Sequence, residues 1–146
     1  MSNDNEIILI RHAQSKWNAN ESQKQDGGLT ELGKNSCLLL KFDVELVICS
    51  SLKRARSTLQ HSQIKYKELI FTDLCAEING TDEEQKDFKL RIEKFKNMLI
   101  NLQETYQTIC VISHKPILRE LTGLEFQNTE FVNFPYQSLL ARWLKN

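Results

Sequence analysis

The sequence has few of the residues that interrupt or cross-link a chain: its 146 residues include 2 prolines, 5 glycines and 4 cysteines. We see no linker-like stretch, repeat or low-complexity tract, so we expect one domain spanning residues 1–146. No stretch approaches the ~20 apolar residues that a membrane-spanning helix needs. The 19 Lys and Arg balance the 19 Asp and Glu, so the overall charge predicts binding to neither nucleic acid nor an anionic membrane.

Two further features indicate a reducing, cytoplasmic environment. Cys37, Cys49, Cys75 and Cys110 lie among apolar or small residues without a CxxC spacing, which predicts reduced thiols and no zinc site. The N-terminal segment MSNDNEIILIRH fits neither a secretory signal nor a transit peptide. We therefore expect a cytoplasmic protein.

The hydrophobic pattern predicts strands that are buried on both faces. With 40% hydrophobic and 26% charged residues, the composition is that of a globular protein and excludes disorder. Short apolar runs, the clearest of them continuous rather than alternating, are typical of strands in a parallel sheet. These runs are residues 7–10, 46–49, 69–71, 109–112 and 139–143.

Helical patterns lie between these runs. Thr30 is a candidate N-cap for a first helix, in which Gly33 is unfavourable. Residues 52–61 predict a short helix, and apolar residues at helical spacing predict a long one over residues 84–106. Pro116 is suited to the start of another helix. This alternation predicts a three-layer α/β/α sandwich with a mostly parallel central sheet.

Polar side chains follow four of the predicted strands. Arg11 and His12 follow the first strand, Arg54 comes soon after the second, Glu77 follows the third, and His114 follows the fourth. Ligands bind beyond the carboxyl ends of the strands in open α/β sheets. We therefore expect these side chains to converge at one edge of the sheet.

Such a cluster is suited to phosphoryl transfer. Two guanidiniums present N–H donors that match phosphate oxygens, and a neutral imidazole with one nitrogen hydrogen-bonded is a nucleophile through the other. A carboxyl group supplies a proton to the leaving oxygen. Fixed cations can stabilise the transferred group without a metal ion. His61 follows a polar helix without such neighbours, and we interpret it as a surface residue.

Five motifs occur in order along nearly the whole chain: RHAQSKWN at residues 11–18, GLTELG at 28–33, SSLKRARST at 50–58, LCAEING at 74–80 and VISH at 111–114. The first resembles the RHG[EQ][ST]xxN signature of the histidine phosphatase superfamily, the phosphoglycerate-mutase-like proteins, and the others resemble its later motifs. The resemblance implies a phosphatase that hydrolyses phosphomonoesters without a metal or other cofactor.

The resemblance also implies a role for each polar residue. His12 is implied to be the nucleophile that becomes phosphohistidine. Arg11, Arg54 and His114 are implied to form the phosphate pocket, and Glu77 to be the proton donor.

Four other motif positions concern the pocket and its rim. The resemblance implies that Asn18 and Ser15 form hydrogen bonds to the phosphate or the substrate. Ala13 stands where the superfamily usually has glycine, which would strain the chain if that residue required positive φ. Lys115 replaces the glycine that commonly follows the second histidine, and we expect its side chain to face solvent.

The sequence between Glu77 and His114 has room for one long helix and a short loop, so the lid of larger relatives is absent. A lid helps a mutase to retain its phosphorylated intermediate, so we expect hydrolysis rather than a phosphoglycerate-type mutase reaction. An open pocket admits a phosphorylated small molecule or a phosphorylated macromolecule. The oligomeric state stays open, although residues 131–143 could cover a sheet edge or a partner.

Two alternative readings remain. Cys49 and Arg54 resemble the thiolate and arginine of cysteine-dependent phosphatases, but one residue too few separates them, so we interpret Cys49 as part of a buried strand. The second alternative is a catalytically weak or inactive phosphate-binding or protein-interaction module on the same fold. Ala13 and the missing lid favour that module, whereas the presence of all five reactive side chains favours an enzyme.

Overall fold

The computed structural model describes residues 5–20, 27–77 and 83–145. Residues 78–80 of the fourth motif and residues 1–4 of the N-terminal segment lie outside these ranges. The strands are β1 (Glu6–Arg11), β2 (Asp43–Ser50), β3 (Lys65–Thr72), β4 (Thr108–Ser113) and β5 (Phe131–Pro135), and the helices are α1 (Glu31–Ser36), α2 (Lys53–His61), α3 (Gln85–Leu102), α4 (Lys115–Thr122) and α5 (Tyr136–Lys145). No helix among the described residues is both long and apolar enough to cross a membrane.

The strands form one sheet in the order β3-β2-β4-β1-β5. β1, β2, β3 and β4 are parallel to one another, and β5 is antiparallel to β1. Alternate side chains of β1 point to opposite faces: Ile7 and Leu9 pack with α3, α4 and α5, whereas Ile8 and Ile10 pack with α2. Because helices cover both faces, the predicted three-layer α/β/α sandwich is confirmed.

Four predicted strands are confirmed, but the assignment of residues 139–143 to a strand is wrong. These residues lie in α5, where Tyr136, Leu139 and Trp143 face one side of the helix and are buried. Their spacing is helical, and the Trp143 indole N–H donates to the Leu121 carbonyl oxygen at 2.9 Å. The strand in this region is β5, which pairs with β1 and is an edge strand of the sheet.

Gly33 lets α1 approach the loop that follows β1. Thr30 is the N-cap as predicted: its hydroxyl accepts the Gly33 amide at 2.9 Å, and its own amide donates to the Gln14 carbonyl oxygen at 3.1 Å. A Cβ added at Gly33 would overlap that same carbonyl oxygen and lie 3.1 Å from the Gln14 amide nitrogen. The glycine that is unfavourable for a helix is therefore required by packing.

Gly33→Ala should destabilise the protein by about 1–3 kcal/mol, the usual cost of overpacking a buried position. Urea unfolding followed by circular dichroism measures the loss. Asn35→Ala, at an exposed position of the same helix, is the control and should stay within about 0.5 kcal/mol of the parent protein. Equal stability of the two variants would contradict the close approach of α1 to Gln14.

Candidate active site

His12 and His114 lie side by side because their strands pair. β1 and β4 are parallel neighbours with Arg11 opposite Ser113. The residue that follows each strand therefore leaves the sheet at the same edge. The His12 amide donates to the Ser113 carbonyl oxygen at 3.0 Å, and the two imidazole centroids are 5.0 Å apart. Both rings are almost completely buried. The expected convergence of the two histidines is present.

The hydrogen bond of His12 determines which ring nitrogen carries the lone pair. Its Nδ1 lies 2.7 Å from the Ala13 carbonyl oxygen, which can only accept, so Nδ1 carries the proton and Nε2 has the lone pair. Burial lowers the pKa of His12 to about 3; the Ala13 bond opposes this shift, and the charges of Arg54 and Arg11 reinforce it. His12 is therefore a neutral imidazole at neutral pH.

His114 presents its other nitrogen to the site. Its Nε2 lies 2.8 Å from the Ser50 hydroxyl oxygen. That oxygen accepts the Leu52 amide at 3.2 Å, which leaves the hydroxyl hydrogen for Nε2. Its Nδ1 is buried and has no hydrogen-bond partner within the described ranges. Burial and then the neighbouring His12 lower the pKa of His114 well below its ordinary value. A buried nitrogen without a partner is costly, and a bound anion would relieve that cost.

Two guanidiniums add fixed positive charge to the same edge. Arg54, in the first turn of α2, is buried. Arg11, the last residue of β1, donates from Nη1 to the Phe126 carbonyl oxygen at 3.0 Å. Burial lowers the pKa of Arg11; Glu77 opposes this shift and Arg54 reinforces it. The charges of both arginines also lower the pKa values of both histidines, so the four side chains share one electrostatic environment.

Glu77 brings a carboxylate to this cationic cluster. It lies in the loop after β3, with a side chain that is 20% exposed. Its Oε2 is 3.6 Å from Arg54 Nη2 and 4.0 Å from His114 Nδ1. The Ser113 hydroxyl donates to the Cys75 carbonyl oxygen at 2.6 Å, which joins this loop to the end of β4. The structure thus places all five predicted reactive side chains at one edge of the sheet.

Ser15 and Asn18 close the loop that follows His12. The Ser15 hydroxyl accepts the Asn18 amide at 3.1 Å, and Asn18 Oδ1 accepts the Ser15 amide at 3.2 Å. The side-chain amide of Asn128 donates to Asn18 Oδ1 and to the His12 carbonyl oxygen, each at 3.2 Å. These bonds hold the loop in shape. Contact of Ser15 and Asn18 with a substrate stays a prediction.

Sequence reasoning missed several residues that hold the reactive ones. Thr58 accepts the Ala13 amide at 2.9 Å and donates to the Arg54 carbonyl oxygen at 2.8 Å, so it ties the loop after β1 to α2. Thr58 and Ser50 both occur in the SSLKRARST motif, which is the signal that could have found them. Asn128 lies between α4 and β5, and no sequence pattern distinguishes it.

Ala13 and Lys115, which stand where the motifs usually have glycine, both fit the structure. Ala13 does not have positive φ; among the described non-glycine residues only Asn20 and Thr129 do. Its methyl group is therefore unstrained. Lys115 is partly exposed, as expected, but its ammonium pairs with Glu125 at 3.3 Å.

The cysteine alternative conflicts with the position of Cys49. This residue lies in β2 and is fully buried, and burial raises the pKa of its thiol to about 12. A reactive thiolate needs the opposite shift. Among the described residues, no group of three or more His, Cys, Asp or Glu side chains is arranged to hold a metal ion.

Comparisons with known proteins identify the family of this chain. The sequence model of the histidine phosphatase superfamily (branch 1) matches residues 7–97, and the chain therefore belongs to that superfamily. No curated protein gives a significant sequence match.

Solved structures show the same fold at low sequence identity. The alpha-ribazole phosphatase from Shigella flexneri superposes with a TM-score of 0.68 at 18% identity, over 88% of this chain and 89% of that one. A mutant phosphoserine phosphatase from Entamoeba histolytica, in complex with phosphoserine, superposes with a TM-score of 0.62 at 20% identity, over 88% and 89%. A mycobacterial glucosyl-3-phosphoglycerate phosphatase in complex with VO3 has a TM-score of 0.62 at 12% identity, over 88% and 90%.

The buried neutral state of His12 predicts a pH dependence of stability. Its pKa is about 3 in the fold and about 6.5 in an unfolded chain, so below pH ~6.5 the unfolded chain binds a proton that the fold excludes. The free energy of unfolding should therefore fall as the pH drops, by up to about 1.4 kcal/mol per pH unit from this residue.

Urea unfolding between pH 7 and 5, in buffers without phosphate or sulfate, measures this slope. His12→Gln should show a shallower slope than the parent protein. His61→Gln is the control, since His61 is partly exposed in the last turn of α2. A His12→Gln slope equal to that of the parent would contradict a buried neutral imidazole.

Proposed function

We propose that this protein is a metal-independent phosphatase that hydrolyses phosphomonoesters through a phosphohistidine on His12. The observation that supports this proposal most directly is the state of His12. Its Nδ1–H is bound to the Ala13 carbonyl oxygen at 2.7 Å, which leaves the Nε2 lone pair for attack. His114 lies beside His12, and the charges of Arg11 and Arg54 act on both rings.

The first chemical step transfers the phosphoryl group to His12. The Nε2 lone pair attacks phosphorus, a P–N bond forms, and the P–O bond to the leaving alcohol breaks. Glu77, in its protonated form, gives its proton to the departing oxygen. The binding of a phosphate dianion favours this form, because the anion competes for the Arg54 donors and repels a carboxylate beside it.

Arg11, Arg54 and His114 stabilise the oxygens of the transferred group. The two guanidiniums remain charged at any relevant pH. When the Ser50 hydroxyl donates to Nε2 of His114, Nδ1 carries the ring proton and is a donor to a phosphate oxygen. These groups need no rearrangement during the reaction. Preorganised charge of this kind is usually the largest contribution to the rate enhancement of phosphoryl transfer. These three side chains thus stabilise the transferred group as a metal ion does in other phosphoryl-transfer enzymes.

The second step returns the enzyme to its starting state. The Glu77 carboxylate takes a proton from a water molecule as the water oxygen attacks phosphorus. The P–N bond breaks, its electron pair returns to Nε2 of His12, and inorganic phosphate leaves. Acid in the first step and base in the second are complementary roles of one carboxyl group.

The substrate is a phosphorylated small molecule or a phosphorylated macromolecule. The structural relatives include a phosphatase named for alpha-ribazole and one in complex with phosphoserine, which supports a phosphomonoester substrate without selecting one. A non-catalytic phosphate-binding module on this fold is the alternative, and the following experiment separates the two.

Purified protein should release phosphate from an aryl phosphate between pH 5.5 and 7, and an excess of EDTA should leave the rate unchanged. Rapid quenching with ³²P-labelled substrate should trap an acid-labile, alkali-stable label, as expected of phosphohistidine. His12→Ala should lose both the activity and the label, whereas His61→Ala should retain both.

Each negative result rejects a different part of the proposal. No activity above His12→Ala with several phosphomonoesters would favour the binding module. Loss of activity in EDTA that a divalent metal restores would reject metal independence. A label on serine or cysteine would reject the role of His12.

Glu77→Gln should be selective for substrates with poor leaving groups, because only these need a proton on the departing oxygen. The measured quantity is kcat/KM, which covers the steps up to transfer of the phosphoryl group and leaves out the later hydrolysis that both substrates share. For an alkyl phosphate kcat/KM should fall by about 10²–10⁴, the range of general acid catalysis, and for 4-nitrophenyl phosphate it should fall much less. Glu84→Gln, at an exposed carboxylate nearby in the chain, is the control. Equal losses on both substrates would remove Glu77 from the donor role.

A further inference from the structure

Arg91, on α3, forms hydrogen bonds with the backbone of the loop that carries Glu77. Its side chain is 16% exposed. Nη1 donates to the carbonyl oxygens of Asp73 at 3.0 Å, Leu74 at 3.0 Å and Ala76 at 2.8 Å, and Nη2 lies 3.4 Å from the carbonyl oxygen of Glu77. One guanidinium thus contacts four of the five backbone carbonyls from residue 73 to residue 77.

The remaining carbonyl of this loop is also bound. The Cys75 oxygen accepts the Ser113 hydroxyl at 2.6 Å, from the strand that ends beside His114. Ser51 and the Asp73 side chain form a further hydrogen bond at the opposite end of the loop. The loop that leads into Glu77 is therefore bound by side chains from three other segments, and Arg91 binds most of its backbone carbonyls.

Arg91 is itself held in one orientation. It forms a bidentate ion pair with the Glu83 carboxylate: Nε donates to Oε2 at 2.8 Å and Nη2 donates to Oε1 at 2.9 Å. The guanidinium carbon lies 5.3 Å from the centroid of the Phe88 ring, one turn earlier in α3. The planar guanidinium of arginine has several N–H donors in fixed directions, which suits these contacts. The ammonium group of a lysine cannot make the same set of hydrogen bonds.

We propose that Arg91 is a positioning residue for catalysis: by holding the backbone of residues 73–77, it keeps the Glu77 carboxyl beside Arg54 and His114, where it protonates the leaving oxygen. The inference rests on the proposed donor role of Glu77. Arg91 does not touch the reacting atoms in this account, and its effect on the reaction passes through Glu77.

This proposal predicts a signature that a purely structural role would not produce. A carboxyl group displaced by about 1 Å should cost about 10²-fold in a step that depends on it. Arg91→Ala should therefore lower kcat/KM with an alkyl phosphate by about 10²-fold and with 4-nitrophenyl phosphate by less than about 5-fold. Arg91→Lys should show a smaller loss with the same selectivity, and it replaces Arg91→Ala in the test if the alanine variant does not fold.

The test is a double-mutant cycle measured with both substrates. In the Glu77→Gln background the same Arg91 substitution should cause no further selective loss, because the group that it positions is already absent. Ile92→Val is the control for lost stability: Ile92 is the next residue of α3, is buried in the core, and should leave the ratio of the two rates unchanged.

Two results would overturn the inference alone while Glu77→Gln remains selective. The first is an Arg91 variant that slows both substrates equally. The second is a selective loss of the same size in the presence and absence of the Glu77 carboxyl. If Glu77→Gln itself slows both substrates equally, the donor role fails, and the inference that depends on it fails with it.

Discussion

The site depends on the parallel pairing of β1 with β4. Because Arg11 is opposite Ser113 in this pair, the residues that follow leave the sheet together, and two imidazoles meet 5.0 Å apart although they are distant in the sequence. β2 lies on the other side of β4 and brings Ser50 to His114 and the start of α2 to the same edge. Any slip of one residue between β1 and β4 would separate the histidines and reverse which face of the sheet each side chain occupies.

This arrangement concentrates positive charge in a buried place before any ligand is present. Burial of the rings, reinforced by the two arginines, lowers the pKa of both histidines and keeps them neutral. His114 Nδ1 and Arg11 Nε are buried without hydrogen-bond partners among the described residues. Binding of a dianion at this site is favourable, since each charge then gains an opposite neighbour at short range. Glu77 offsets part of the positive charge and is the group that a bound phosphate would displace from Arg54.

Much of the fold and the meeting of five polar side chains at one edge of the sheet could be predicted from the sequence, because buried parallel strands have continuous apolar runs and the residues after them are polar. The error at residues 139–143 arose because an apolar run was read as a strand, whereas the spacing of Tyr136, Leu139 and Trp143 is helical. The supporting residues Arg91 and Asn128 could not be found, because they act on backbone carbonyls that only the folded chain brings together. Gly33 was unfavourable by helix propensity, and only the position of the Gln14 carbonyl explains why it is there.

A crystal structure with vanadate tests the central claim most directly, because vanadate adopts the geometry of a phosphoryl group in transfer. We predict vanadium bonded to Nε2 of His12, with oxygens within hydrogen-bond distance, about 2.7–3.2 Å, of Arg11, Arg54 and His114 Nδ1, and the apical oxygen toward Glu77. Vanadate bound elsewhere, or bound in this pocket with the His12 ring turned away from it, would contradict the account.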